Sequence, residues 1–337
     1  MEKAIEAKIK EYFRELNEYR ELITVLVTLK KHFSKYENVK ACIEPNLQYY
    51  EEKGKELVPD LVVMETDTQT GAAFDHKFIR TTNELTIRNE ILDVVKYRGK
   101  AVIVERNLNI PVNLKDCLLV IQRSLFERIN VTLFRIVTKE KLNAHILSYY
   151  VDLNEQKIRF HFYNPNNIPL ATKVINKFFE KKTRVLDVPM EAYYQKFIRQ
   201  RPPDFYLITE VYNVILSCAI DPLSPEAKVP YEAILQSLKH YFPRWAIVEK
   251  PFYEQLPRAR LDRGISILCK IGVARREGKF VIVKRPRGIP INIYLAEKLA
   301  RYELGITRAR ERILRKEERR EPTQKTILNF IRHEEET

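Results

Sequence analysis

Asp60, Asp75 and Lys77 are the residues of this chain whose types and spacing suit a reaction. Asp60 follows Pro59 at the head of an apolar run, PDLVVMET over 59–66, and fourteen residues separate it from Asp75-His76-Lys77 inside a second run, AAFDHKFIR over 72–80. Strand side chains alternate between faces, so Asp75 and Lys77 point the same way while His76 points the other way with Phe74 and Phe78. A carboxylate and an ammonium inside an apolar strand are costly unless each is paired or metal-bound. Two aspartates on adjacent strands suit a hard divalent cation, since Mg2+ prefers oxygen ligands and keeps several waters. A lysine beside that ion is placed to orient or deprotonate an attacking water and to offset charge building on a phosphate. These are the parts of metal-assisted phosphodiester hydrolysis. The plainer alternative is a surface ion pair between Asp75 and Lys77, with Asp60 simply starting a strand.

The elements that must position these residues follow from periodicity. Charged residues with helical spacing fill 2–20, and a stripe through Leu22, Ile23, Leu26, Leu29, Lys30 and Phe33 predicts a second helix over 21–36. Residues 39–50 read as a strand, 51–58 as a charged turn region, 59–66 and 72–80 as a hairpin joined through TDTQTG. Leu85, Ile91, Leu92 and Val95 give a helix over 83–98, and 101–105 and 118–122 are short apolar strands. The order ααβββαββ predicts an α/β sandwich around a mixed sheet.

Pro59-Asp60 and Asp75-His76-Lys77, placed on consecutive strands and followed by a helix, resemble the PD-(D/E)xK nuclease superfamily. The resemblance covers residues 10–122 and implies a restriction-endonuclease-like αβββαββ core. It implies Asp60 and Asp75 as ligands of Mg2+ or Mn2+ and Lys77 as water activator or phosphate stabiliser. The family usually adds a glutamate from the preceding helix, for which Glu21 is the candidate; Glu15, Glu18 and, on the first strand, Glu44 are alternatives. His76 occupies a position where family members often carry an apolar residue and reads as structural. Lys96 is a further lysine able to lean over the site.

Composition narrows the classes. The chain has 337 residues and a formal charge of +14, with 45% hydrophobic and 31% charged residues, which suits a globular protein of two or three domains. No apolar run approaches a membrane span, and MEKAIEAKIK is too charged for a signal peptide, so secretion and membrane insertion are not expected. Cys42, Cys117, Cys218 and Cys269 stand far apart, which argues against a zinc site and for buried free thiols in a reducing compartment. The eight glycines form neither of the two common nucleotide-binding loops. The charge is uneven: residues 1–122 carry 19 basic and 20 acidic side chains, residues 123–337 carry 40 and 25. A basic excess of this size points to a polyanion partner.

Residues 123–204 read as an accessory α/β region, with strands over 131–137, 145–153 and 157–163, a helix over 170–181, and aromatic residues interleaved with basic ones. RPPDFYL over 201–207 marks a boundary. Beyond it, helices over 208–219 and 231–241, a strand over 245–249, a helix over 258–271 and a hairpin over 273–285 turning at Glu277-Gly278 follow the order of a winged helix-turn-helix, a domain over 205–292. DPLSPEAKVP reads as its proline-punctuated loop. Residues 258–287 hold ten basic and two acidic side chains. Arg258, Arg260 and Arg263 would open the recognition helix and Arg275, Arg276 and Lys279 would lie on the wing, positioning DNA through its phosphates. Residues 293–322 read as a basic helical tether. Gln324, Ile327, Phe330 and Ile331 then resemble the sliding-clamp (PCNA) interaction peptide, Q-x-x-aliphatic-x-x-aromatic-aromatic, within 323–332; Ile331 stands where an aromatic residue is usual. A bacterial clamp reads a different peptide, so this points to an archaeal or eukaryotic setting, on the nucleoid or in the cytoplasm, or in a nucleus.

The expectation is an Mg2+- or Mn2+-dependent DNA endonuclease rather than an exonuclease, partnered by DNA and the clamp, with a homodimer as the way to pair two active sites. The rivals are a non-catalytic adaptor with a degenerate nuclease fold and a transposition- or restriction-type cutting subunit.

Overall fold

The computed structural model describes residues 2–50, 56–105, 109–152, 154–198, 201–221, 224–243, 255–305 and 307. In chain order the elements are α1 (Glu2–Phe33), β1 (Val39–Ile43), β2 (Asn46–Tyr49), β3 (Glu56–Leu57), β4 (Leu61–Glu65), β5 (Thr70–His76), α2 (Glu84–Val95), β6 (Gly99–Val104) and β7 (Asn109–Gln122). They continue as α3 (Arg123–Lys139), β8 (His145–Asp152), β9 (Lys157–Tyr163), α4 (Lys173–Phe179), β10 (Thr183–Asp187), α5 (Glu191–Tyr194) and α6 (Asp204–Ser217). The last are β11 (Glu226–Pro230), α7 (Tyr231–Lys239), α8 (Leu256–Lys270), β12 (Ala274–Glu277), β13 (Phe280–Lys284) and a helix over 291–305. The class is α/β, with a mixed, curled sheet. Two compact units divide the chain: Met1–Leu16, Pro203–Leu235 and Arg260–Thr337 form one, Asn17–Pro202 and Gln236–Ala259 the other.

The second unit is built around a ten-stranded sheet. Its main path runs β1-β4-β5-β7-β6-β2-β3. β7 lies parallel to β5 along one edge, while its other edge pairs first with β6, antiparallel, and then with β8, parallel. The sheet therefore forks at β7, and β8, β9 and β10 extend it beyond residue 122. Gly71 lies where the β5–β7 register shifts by one residue. A Cβ there would approach the Val63 carbonyl to 3.1 Å and Val112 to 3.0 Å, so the two strands close up only over a glycine. On one face, Val62, Ala73, Cys117, Leu119 and Ile121 pack with Ile87, Ile91 and Val94 of α2 and Phe126, Ile129 and Leu133 of α3. On the other, Phe74 meets Phe33 of α1 at a ring distance of 6.3 Å.

Several local expectations change. Residues 2–33 are one helix, not two: buried Ile5, Tyr12, Leu16, Tyr19, Ile23 and Leu26 keep a helical spacing through the proposed break, with no Gly or Pro to end it. The strand expected over 39–50 is split, because Glu44 takes φ +46 before Pro45; β1 pairs with β4, and β2 pairs with β6 and β3. Residues 131–137 belong to helix α3 rather than a strand. Its buried residues, Leu125, Phe126, Ile129, Leu133, Ile136 and Val137, recur at three and four, while Val131 is 78% exposed.

The first unit contains a three-stranded antiparallel sheet in the order β11-β13-β12. The segment read as a proline loop supplies β11, an edge strand whose last residue, Pro230, is opposite Phe280 and needs no further ladder bond. α6 is buried on nearly every side, from Phe205 through Ile215, and the Tyr212 hydroxyl donates to the Lys284 carbonyl at 2.5 Å. α8 approaches α6 closely at Gly264, where a Cβ would fall 2.7 Å from Val211 Cγ2. The strand expected over 245–249 lies outside the described residues. Cys42 and Cys117 are buried free thiols, while Cys218 and Cys269 are free and half-buried. Among the described residues no helix is long and apolar enough to cross a membrane.

Candidate active site

The β4–β5 hairpin delivers the three leading residues to one place. The ladder ends at Leu61 opposite Phe74, and continuing the register by one step sets Asp60 opposite Asp75. Both are buried, at 3% and 6% exposure. The next amide, His76 N–H, donates to Asp60 Oδ2 at 2.7 Å, and Lys77 N–H donates to the Val120 carbonyl at 3.0 Å. The Lys77 ammonium lies 3.1 Å from Asp75 Oδ2, 3.4 Å from Glu90 and 3.9 Å from Asp93, the last two on α2. The Asp75–Lys77 pair is thus recessed rather than a surface bridge.

Burial pulls the Lys77 pKa down, but Asp75, Glu90 and Asp93 together outweigh it and hold the pKa above the usual lysine value. Lys77 is therefore an ammonium at neutral pH. In this state it can offset charge on a phosphate.

Across the sheet a second polar group lies at the same strand ends. His76 Nε2 is hydrogen-bonded to the Tyr149 hydroxyl at 2.9 Å, and Gln122 Nε2 donates to Glu21 Oε2 at 2.8 Å. Burial raises the Glu21 pKa against the lowering effect of the Gln122 bond. Burial likewise raises that of Tyr149, with Glu21, Glu18 and Asp60 adding to it, so Tyr149 remains a phenol. Glu18 is ion-paired with Arg80. Asp60, Asp75 and Lys77 are brought together, and Glu21 stands on the His76 face.

Glu44 is buried beside this group, and its N–H donates to the Asp60 carbonyl at 2.9 Å. Lys96 is engaged by Asp93 at 2.9 Å. Sequence reasoning missed Glu90 and Asp93; their three-residue spacing on α2 was the available signal.

Among the described residues no group of three His, Cys, Asp or Glu side chains is arranged to hold a metal ion. Two carboxylates still suit Mg2+, which takes one or two such ligands and fills its octahedron with waters and substrate phosphate oxygens. The donor set is compatible with that ion and with Mn2+. The chain matches no family model, no curated protein and no solved structure.

The six residues expected to meet DNA are unevenly placed. Arg258 and Lys279 are exposed, and Arg260 is buried at 8% exposure. Arg263 is ion-paired with Asp204. Arg275 grips both oxygens of Glu226, at 2.7 and 2.8 Å, and also reaches Glu277 at 3.0 Å. Arg276 bonds Asp262 at 2.7 Å and covers the Tyr231 ring at 5.6 Å. The basic count of this region thus overstates the charge available to a phosphate. Replacing both Glu226 and Glu277 by Gln is expected to release Arg275, tighten duplex binding at low salt and steepen the log–log salt slope by about 1. Fluorescence anisotropy between about 50 and 200 mM salt reads this; an unchanged slope would remove Arg275 from the DNA interface. The clamp-peptide residues Gln324, Ile327, Phe330 and Ile331, and the basic run before them, lie outside the described residues.

Proposed function

We propose that this chain is an Mg2+- or Mn2+-dependent DNA endonuclease of replication or repair, brought to its substrate by a sliding clamp. The observation that carries the reading is the buried row of Asp60 opposite Asp75, with Lys77 two residues further on. A helix before the β4–β5 hairpin, α2 after it and β7 parallel beside β5 support a restriction-endonuclease-like core. The order α6, β11, α7, α8, β12, β13 and the sheet order β11-β13-β12 support a winged helix.

In this reading Asp60 and Asp75 hold the cation, and Lys77 offsets charge on the scissile phosphate. A bound Mg2+ or Mn2+ would polarise that phosphate and lower the pKa of its water. Glu21, its pKa raised by burial and its carboxylate held by Gln122, stays the candidate further acid but approaches from the His76 face, not the face of Asp75 and Lys77. The direct Asp75–Lys77 ion pair favours a second reading, a DNA-binding adaptor whose former metal ligand is now neutralised by lysine.

Supercoiled plasmid incubated with the full chain separates the two. Nicked circles with Mg2+ or Mn2+ and none with EDTA are expected; binding without nicking under either metal would leave only the adaptor. Recruitment is tested by capture on an archaeal or eukaryotic clamp. The wild type is expected to bind and Phe330→Ala to lose binding, and a wild type that is not captured removes the clamp from the proposal.

A further inference from the structure

We propose that Tyr149 is a positioning residue for Asp60, acting across the sheet through His76. This inference rests on the reading of Asp60 as a metal ligand. β4 begins only at Leu61, so beside the end of β5 the Asp60 carboxylate takes the place of a strand carbonyl and accepts the His76 N–H at 2.7 Å. The direction of that N–H is set by the peptide joining Asp75 to His76. The same peptide carries the second aspartate on one side and, through His76, leads to Lys77 on the other. Whatever fixes His76 therefore fixes the spacing of all three.

The His76 side chain is fixed from the opposite face. Its ring is buried, packs edge-on against Phe78 at 4.3 Å and bonds the Tyr149 hydroxyl at 2.9 Å. Tyr149 is fully buried on β8, opposite Gln122 of β7 and Phe160 of β9, so its own backbone is laddered on both sides. Lys77 N–H to Val120 O fastens the chain immediately beyond His76. The polar residue between Asp75 and Lys77 is thus the inner end of a strut running from β8 through an imidazole and a main-chain amide to the Asp60 carboxylate. An apolar residue at that position would pack but could not be held at one rotation by a hydroxyl.

The test reads the amide itself. The chain has six histidines, so histidine-selective 15N labelling isolates the His76 N–H for hydrogen exchange in the full-length, metal-free protein. Tyr149→Phe keeps the ring and removes the hydroxyl. The His76 amide is expected to exchange about tenfold faster relative to the other histidine amides, which report any fall in global stability. An unchanged exchange rate overturns the proposal. If Tyr149→Phe lowers global stability, His76→Asn replaces it, in protein labelled with 15N-asparagine and assigned at residue 76, with that amide again exchanging faster if the strut exists and at the wild-type rate if it does not. Neither metal nor DNA enters this measurement, so it stands apart from whether the chain cuts DNA. Where the wild type binds Mn2+, Tyr149→Phe is expected to weaken that binding by about 10–100-fold, the usual effect of losing a group that orients a ligand. Undiminished Mn2+ affinity would also overturn the proposal. A wild type that fails to bind Mn2+ defeats the proposed nuclease instead.

Discussion

Replacing Asp75 by asparagine is expected to reduce plasmid nicking by about 10²–10³-fold, the scale on which single preorganised charge-stabilising groups act. Asparagine keeps the size and the strand position but removes the negative charge that the proposed cation and Lys77 share. Lys77 retains Glu90 and Asp93 as neighbours, at 3.4 and 3.9 Å, so it stays an ammonium without being aimed at the row. Nicking is compared with wild type at matched folded fraction and saturating Mn2+. Equal rates would end the catalytic reading of this row, because no other feature of the site singles out Asp75.

One residue earlier the expected effect has the opposite character. Phe74 is fully buried on the α1 face of β5, against Phe33. Phe74→Ala is expected to cost about 3–5 kcal/mol through lost burial and the cavity left behind. That is a large share of the roughly 5–15 kcal/mol that holds an ordinary domain folded. Urea unfolding followed by fluorescence reads the loss, and the molecules that remain folded should still nick DNA. A cost below about 1 kcal/mol would mean that this face is not packed against α1 as described. Neighbouring substitutions on one strand therefore separate stability from chemistry, because alternate side chains serve different faces.

The same alternation explains why the hairpin was legible. Two apolar runs with polar intrusions at their ends give the strand assignment; the register sets Asp60 beside Asp75, with Asp60 just before β4 and Lys77 just after β5. Other features were hidden for identifiable reasons. Charge in the first half of α1 masked a narrow apolar stripe that runs through both halves. Prolines at 225 and 230 disguised an edge strand, which tolerates them. Long-range partners carry no local signal. Arg275 meets Glu226 from 49 residues away, Arg263 meets Asp204 from 59, and His76 meets Tyr149 from 73. Counting basic residues therefore described the composition of the β12–β13 hairpin but not its field, and His76 read as structural without the hydroxyl it bonds.

The split at Glu44-Pro45 has a consequence for how this chain behaves among its own copies. β1 ends the sheet path on one side and β2 lies near its other end, yet only two residues join them. Three Cα steps separate Ile43 from Asn46, at most about 11 Å, so one end of the seven-strand path and the strand next to its other end come close at that corner. The Lys40–Glu105 bridge, at 2.5 Å between β1 and the residue just after β6, ties the same corner from the side. An open sheet edge is a template on which a neighbouring molecule can add its own strand. Among the described strands β1 pairs with β4 alone, and the left-handed turn at Glu44 and the charged Lys40–Glu105 pair make its outer edge a short, interrupted and charged template for such addition.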